Sequence, residues 1–293
     1  MNTRFWGPSG WKFLHSITNI YPDKPTTAHK LIMRDFMSLV ADILPCKYCR
    51  ASFTKYAASL DITPFLESNY LIQQWLFKMH NKVNGKLRRQ GFCHISNPEL
   101  DDVIAKYNKI ATNHIDNLAE QLHVETLIPA ILHYFYILGN DFIGSIIYNY
   151  QGYYANCHTN DEKTRIISTY HRFFNMIPTL IAQFTAAGNP QCSAGLKHYK
   201  IPHFKIRTIL QQSEPYSRLK NWFWQCLEMV PETQRQFKSF DAMDSHFQPH
   251  IVATCNSTDA DKIQSCRKLS KMDRTARLKH KTRKQHTRKT HRN

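Results

Sequence analysis

The sequence predicts an all-α protein: a four-helix bundle plus a short fifth helix over residues 1–112, a second mostly helical domain over 113–250, and a disordered basic tail over 251–293. Three observations carry this reading. Apolar residues recur at steps of three and four from Gly10 to Leu87, the period of a helix with one buried face. Near Asn113 the composition shifts to dense aromatics, and beyond Ala253 large apolar residues give way to charge, the signature of a segment that cannot bury a core.

The elements follow in order. Gly10 to Ile20 places Trp11, Leu14, His15 and Thr18 on one face, and Tyr21-Pro22-Asp23-Lys24-Pro25 breaks the chain. Thr26 to Leu44 carries Leu31, Ile32, Phe36, Leu39, Val40 and Ile43 on one stripe, and Pro45 ends it. Cys46 to Leu60 aligns Cys49, Phe53, Tyr56 and Leu60; Asn69 to Leu87 aligns Leu71, Ile72, Trp75, Leu76, Met79, Val83 and Leu87. Short connections between four such helices suit a bundle. Ser96-Asn97-Pro98-Glu99 reads as the start of the fifth helix, with a cap residue, then proline at the first helical position and acids after it. In the second domain, helical stretches are expected at Leu118 to Leu138, Asp161 to Ala186 and Arg218 to Met229, with a turn at Gly188-Asn189-Pro190. Lys197 to Ile209 reads as either strand or loop.

Composition narrows the function classes. The formal charge is +17, but the last 27 residues hold twelve Lys or Arg against one acid, so the basicity is largely a property of the tail. Eight cysteines in 293 residues are too few for a disulfide-stapled secreted scaffold. The N-terminus has no apolar signal-peptide core, so the chain is expected to be made and kept in the cytosol. Leu127 to Leu138 is the most apolar stretch and falls short of the ~18 residues a membrane span needs; no span is expected. Nine glycines without a GxGxxG or Walker pattern argue against a Rossmann or P-loop nucleotide site.

The sharpest local feature is Leu44-Pro45-Cys46-Lys47-Tyr48-Cys49-Arg50. A Cys-x-x-Cys at a helix start sets the first sulfur over unsatisfied backbone N–H groups, which favours the thiolate and thiol–disulfide exchange. A zinc site would need a second pair of ligands, for which His80 with Cys93 or His94 has no standard spacing; no metal is expected. A thioredoxin-like site needs a strand before the motif, and the preceding segment has helical period. His80 and Asn84, four apart, and Asn81 and Asn84, three apart, share a helix face and can aim polar groups at one ligand. Trp11 and His15 form an aromatic and polar pair on another helix, and a flat heteroaromatic ligand needs such faces and a few fixed donors.

Gly7-x3-Trp11-x2-Leu14-His15, then Cys46-x-x-Cys49, then His80-Asn81-x-Val83-Asn84-x-Lys86-Leu87 closely resembles the Erv/ALR family of FAD-linked sulfhydryl oxidases over about Phe5 to Tyr107. With a long unrelated C-terminal region, the chain is most similar to the versions carried by large DNA viruses of mimivirus type. The resemblance implies FAD in the mouth of the bundle, held by Trp11, His15, His80, Asn81, Val83, Asn84 and Lys86. It makes Cys46 and Cys49 catalytic, with Cys49 against the flavin and Cys46 exchanging with the incoming protein dithiol. Electrons then pass to FAD and to dioxygen, giving hydrogen peroxide. It also implies a homodimer through the first two helices.

Ala58 stands where the family has one cysteine of a structural disulfide, so Cys93, which matches the other, has no such partner. The family's shuttle pair has Cys255 and Cys266 as candidates here; Cys157, Cys192 and Cys226 read as buried thiols. A cytosolic oxidase works against a reducing compartment, which a virus assembling disulfide-bonded particle proteins in host cytoplasm would resolve; the virion is the other expected location. The rival readings are a nucleic-acid-binding protein acting through weak, non-specific polyanion contacts of the tail, and a virion interaction protein with a structural CxxC. Flavin absorbance separates the oxidase from both.

Overall fold

The computed structural model describes residues 3–91, 96–155, 157–199, 215–228 and 235–251. Among them every regular element is helical. α1 spans Thr3–Asn19, α2 Thr27–Ile43, α3 Lys47–Ala58, α4 Asn69–Arg89 and α5 Leu100–Ile110. α6 (Thr112–Gln121), α7 (Val124–Leu138), α8 (Asn140–Ala155), α9 (Asn160–Gly188), α10 (Pro190–His198), α11 (Pro215–Leu227) and α12 (Phe240–Phe247) follow.

Local chemistry explains most boundaries. Thr26 caps α2 in a capping box with His29, and Leu44, held extended before Pro45, stops it. Ser68 caps α4 by accepting from the Leu71 N–H. Thr159 and Glu162 form a second capping box at α9. Asn189 accepts from the backbone of Gln191 and Cys192, with Pro190 at the first helical position; Gly188-Asn189-Pro190 is therefore the cap of a further helix, α10, as well as a turn.

Several boundaries differ from the sequence reading. α1 starts seven residues before Gly10 and carries Pro8 inside it, because tertiary contacts hold its first turns: Trp6 is buried beside Phe142, and Phe5 stacks on His250. α5 begins at Leu100 with Glu99 as its cap, so Pro98 precedes the cap. Asn97 is drawn instead to α4, where its side-chain oxygen accepts from Arg88 at 2.8 Å. The expected helix from Leu118 to Leu138 is two helices, broken at an extended Leu122. α8 and α12 were not foreseen. Of Lys197 to Ile209, Lys197 and His198 close α10 and Tyr199 follows; the remainder lies outside the described residues, as do Cys93, Cys255, Cys266 and the tail beyond Ile251.

α1 to α4 with α5 surround the CxxC: α1 packs on α4 and α5, and α3 on α2 and α4. The opposite faces of α1 and α2 are not open. α8 lies on α1 and α9 on α2, in a continuous core where Phe13 meets Phe36 and Phe142, and Phe36 stacks on Phe173 at 5.9 Å. The boundary drawn at 112/113 falls at the α5–α6 junction, and this core runs across it. The surface through which a homodimer was expected is thus occupied by the chain's own later helices. Among the described residues only Leu31 and Tyr70 are exposed large hydrophobics, so little apolar surface is left on α1 or α2 for a second copy. No single described helix is long and apolar enough to cross a membrane; α7 and α8 pass only as a pair bent by 73°, and their apolar residues are buried in this core.

Candidate active site

α3 places the cysteines. Cys46 is its N-cap, and its carbonyl accepts from the backbone N–H groups of Cys49 (2.9 Å) and Arg50 (3.0 Å). The sulfurs are therefore set on the first turn, where N–H groups lacking acceptors favour negative charge. Cys46 is buried and Cys49 half-buried, and no disulfide joins the described cysteines. Cys46 is the more buried of the two cysteines and Cys49 the more open.

α1, α4 and α5 contribute a cluster of rings. Trp11 stacks on His80 with ring centroids 3.8 Å apart and planes within 9°. His15 faces His80 nitrogen to nitrogen at 3.1 Å and stacks on Tyr107 at 4.6 Å. Burial lowers His15 to about 3, helped by the charges of His80 and Lys106. Burial, then Lys106, lowers His80 to about 4, and burial raises Tyr107 to about 12. Both imidazoles are neutral at pH 7, so one ring N–H donates to the other's lone pair. The result is a run of four uncharged rings at the helix crossing.

Lys86 donates to the Ser52 hydroxyl at 2.8 Å, and Ser52 donates to the Tyr48 carbonyl. This ties the end of α4 to the turn that carries Cys49. Asn84 meets Asn97 at 3.5 Å; Asn81 and Val83 stand half-buried on the same turns. From Asn81 to Arg88 every α4 residue is half-buried, Val83 and Leu87 included. Apolar Val83 and Leu87 beside polar Asn81, Asn84 and Lys86 suit a flat ligand with a hydrogen-bonding edge. The residues present fit a flavin.

Four contributors escaped the sequence reading. Ser52 lies one helix turn from Cys49, Tyr107 lies on a helix from which no site residue was drawn, and only packing distinguishes them. Asn149 and Tyr153 of α8 reach the CxxC turn from a hundred residues away, and nothing local in the sequence marks them. Of the residues in the zinc alternative, His80 stacks on Trp11, and Cys93 and His94 lie outside the described residues.

Comparison with known proteins gives the same segment a family. Residues 8–101 match the Erv1 / Alr family. The chain is 38% identical over 86 residues to the mitochondrial FAD-linked sulfhydryl oxidase ERV1 of Saccharomyces cerevisiae, covering 29% of this chain and 44% of that protein. It is 30% identical over 86 residues to the FAD-linked sulfhydryl oxidase ERV1 of Arabidopsis thaliana, covering 29% and 44%. With the FAD-linked sulfhydryl oxidase of African swine fever virus it shares 29% over 85 residues, 29% of this chain and 70% of that one. The chain spans less than half the length of the yeast and plant relatives. No solved structure matches it. Residues 8–101 of this chain therefore carry an Erv1 / Alr family domain.

Proposed function

We propose that the chain is an FAD-dependent thiol oxidase that forms disulfides in protein dithiols, passing two electrons through Cys46–Cys49 and FAD to dioxygen, with hydrogen peroxide as product. The observation that carries this reading is that α4, which brings His80 into the stack with Trp11, His15 and Tyr107, is also joined to α3, the helix of the cysteine pair, by the Lys86–Ser52 hydrogen bond.

A substrate thiolate attacks the Cys46 sulfur of the oxidised pair; the Cys46–Cys49 bond breaks and Cys49 leaves as thiolate. The second substrate thiolate then attacks the mixed disulfide, releasing Cys46 as thiolate and the substrate as disulfide. The N-terminus of α3 favours both leaving thiolates. FAD, when bound, accepts the two electrons and reacts with dioxygen. Trp11, His80 and Val83 would offer it apolar and aromatic surface, while His15, Asn81, Asn84 and Lys86 would supply polar groups to hold it.

Purified protein should be yellow and consume oxygen with dithiothreitol. Cys49→Ser and Cys46→Ser should each abolish turnover while retaining the flavin. Parental turnover in either variant would remove the redox assignment, and a colourless chain would favour the polyanion-binding or virion-interaction readings.

We further infer that the described faces of α1 and α2 do not pair two copies, since α8 and α9 cover them. Cys255 and Cys266 are proposed as the shuttle: their double Ser variant should slow oxidation of proteins and leave dithiothreitol turnover intact, and equal protein rates would dismiss it. We propose host cytoplasm at viral assembly sites, and the virion, as the chain's location; labelled antibody that marks neither in infected cells would refute this.

A further inference from the structure

The carbonyls of Leu44, Pro45 and Cys46 form the last link before the redox pair, and each is accounted for. Cys46 bonds within α3. Arg50 donates its Nη1 to the Leu44 carbonyl. The Pro45 carbonyl accepts from Asn149 Nδ2 of α8 at 3.1 Å; since a carbonyl only accepts, the amide nitrogen is the atom that faces it. Leu44, Pro45 and Cys46 are all buried, where water is a poor substitute donor. One turn along α8, the Tyr153 ring lies 3.9 Å under the Arg50 guanidinium, a cation–π contact that sets the direction from which Arg50 reaches Leu44. α8 therefore touches the turn twice, once directly and once through Arg50. It does so from outside residues 8–101.

The rest of α8 has other duties. Phe142 packs on Trp6 and Phe13, Tyr148 donates to Asp244, and the Ile146 carbonyl accepts from Tyr170. Asn149 and Tyr153 are aimed at the cysteine turn. Beside them α2, α3, α8 and α9 enclose a groove of about 220 Å³ bordered by Asp42, Arg50, Tyr153 and Arg165, so the Arg50–Tyr153 contact forms part of its wall.

We propose that Asn149 and Tyr153 are positioning residues for the redox pair, fixing the Leu44–Pro45–Cys46 turn from α8 and so setting how readily Cys46 and Cys49 close their disulfide. The inference rests on the thiol-oxidase reading for its biological meaning, though the test does not depend on flavin. Closing a Cys-x-x-Cys disulfide demands a narrow relative placement of two Cβ atoms. A turn that α8 holds has less freedom left to lose on oxidation than a free one. Released, the dithiol gains freedom that the disulfide cannot share, and the equilibrium moves toward the dithiol.

The full-length protein is equilibrated anaerobically with glutathione and glutathione disulfide. In this exchange two protein thiols become one disulfide as one glutathione disulfide becomes two thiols, and differential alkylation at Cys46 and Cys49 reads the ratio. Asn149→Ala should lower the oxidation constant roughly three- to tenfold, the span of one lost hydrogen bond. Asn149→Asp, near in shape but unable to donate, should lower it at least as far. Tyr153→Ala should act in the same direction while Tyr153→Phe, which keeps the ring face, should match the parent. Tyr148→Phe removes a hydrogen bond from the same helix away from the turn and should leave the constant unchanged.

Parental constants in both Asn149 variants would overturn the proposal, and so would an equal shift in Tyr148→Phe, which would mean that any loosening of α8 suffices. Should Asn149→Ala fail to fold, Asn149→Asp and the Tyr153 pair decide. A shifted constant in a chain without flavin absorbance would sink the oxidase reading and keep the positioning role. Oxygen consumption by the parent with no shift in the variants would do the reverse.

Discussion

His15 and His80, 65 residues apart, meet ring nitrogen to ring nitrogen at 3.1 Å across the α1–α4 crossing, and both are held neutral there. Their ordinary value is 6.5, and burial lowers them to about 3 and about 4. Between those values and 6.5 the unfolded chain binds protons that the folded chain refuses. Stability from this pair is therefore complete above pH 6.5 and is lost as pH falls toward 4 and below. The melting temperature should drop over that interval, and His15→Gln/His80→Gln should flatten the decline. His29, His114, His133 and His250 are also lowered by burial, so part of the slope will remain. An unaltered slope in the double variant would contradict the neutral pairing.

Trp11 covers one face of His80. Trp11→Ala removes a stacked pair worth about 0.5–1.5 kcal/mol beyond its buried area and opens the cleft at its aromatic wall. The chain should still fold, with a lower melting temperature, and should lose flavin on dilution at least tenfold more readily than the parent. Trp11→Phe should recover most of the retention. Absorbance after gel filtration measures both, and equal retention in Trp11→Ala would remove this residue from the ligand wall.

α8 and α9 cover the faces of α1 and α2, so the parent should sediment as one chain with respect to that surface. A chain ending at residue 112 should not. It would bare Phe13 and Phe36, both fully buried, and should self-associate or precipitate. A soluble, monomeric, folded fragment would show that the first five helices close their own core. In the intact chain Phe36→Ala should cost about 3–5 kcal/mol, read by chemical denaturation.

Two glycines test close packing. A Cβ at Gly195 would lie 2.8 Å from the Val124 carbonyl oxygen, a backbone atom that cannot swing aside. Gly195→Ala should therefore destabilise by about 1–3 kcal/mol as α10 is pushed from α7. Gly152 on α8 has open space around it, and Gly152→Ala should stabilise by about 0.4–1 kcal/mol by restricting the unfolded chain. Matched denaturation midpoints for the two variants would contradict the packing described.

The tail lies outside the described residues and is tested by removal. Twelve cations and one acid, Asp273, over 27 residues should give weak polyanion binding that falls steeply with salt. A chain ending at Cys266 should elute from heparin at lower salt while oxidising dithiothreitol at the parental rate. Unchanged retention would move the basic surface to the N-terminal helices.

Much of this protein was legible in one dimension because its information there is local. Apolar period, Thr26, Pro45, Ser68 and Thr159 specify helices and ends through neighbours three or four residues away, and Cys46-x-x-Cys49 specifies its turn in the same way. Trp11, His15, His80 and Lys86 were singled out chiefly by the family resemblance, and a shared helix face lay behind only the Trp11–His15 and His80–Asn84 pairs. Tertiary structure decided what distance along the chain hides. It extended α1 through Pro8 by burying Trp6, made Asn97 a partner of Arg88 instead of a cap, and laid α8 and α9 over faces that looked available. It also brought Asn149 to the Pro45 carbonyl. None of these has a local signal, since an amide on a helix looks the same in sequence whether it meets water or a buried carbonyl; which it meets depends on the crossing of helices a hundred residues apart.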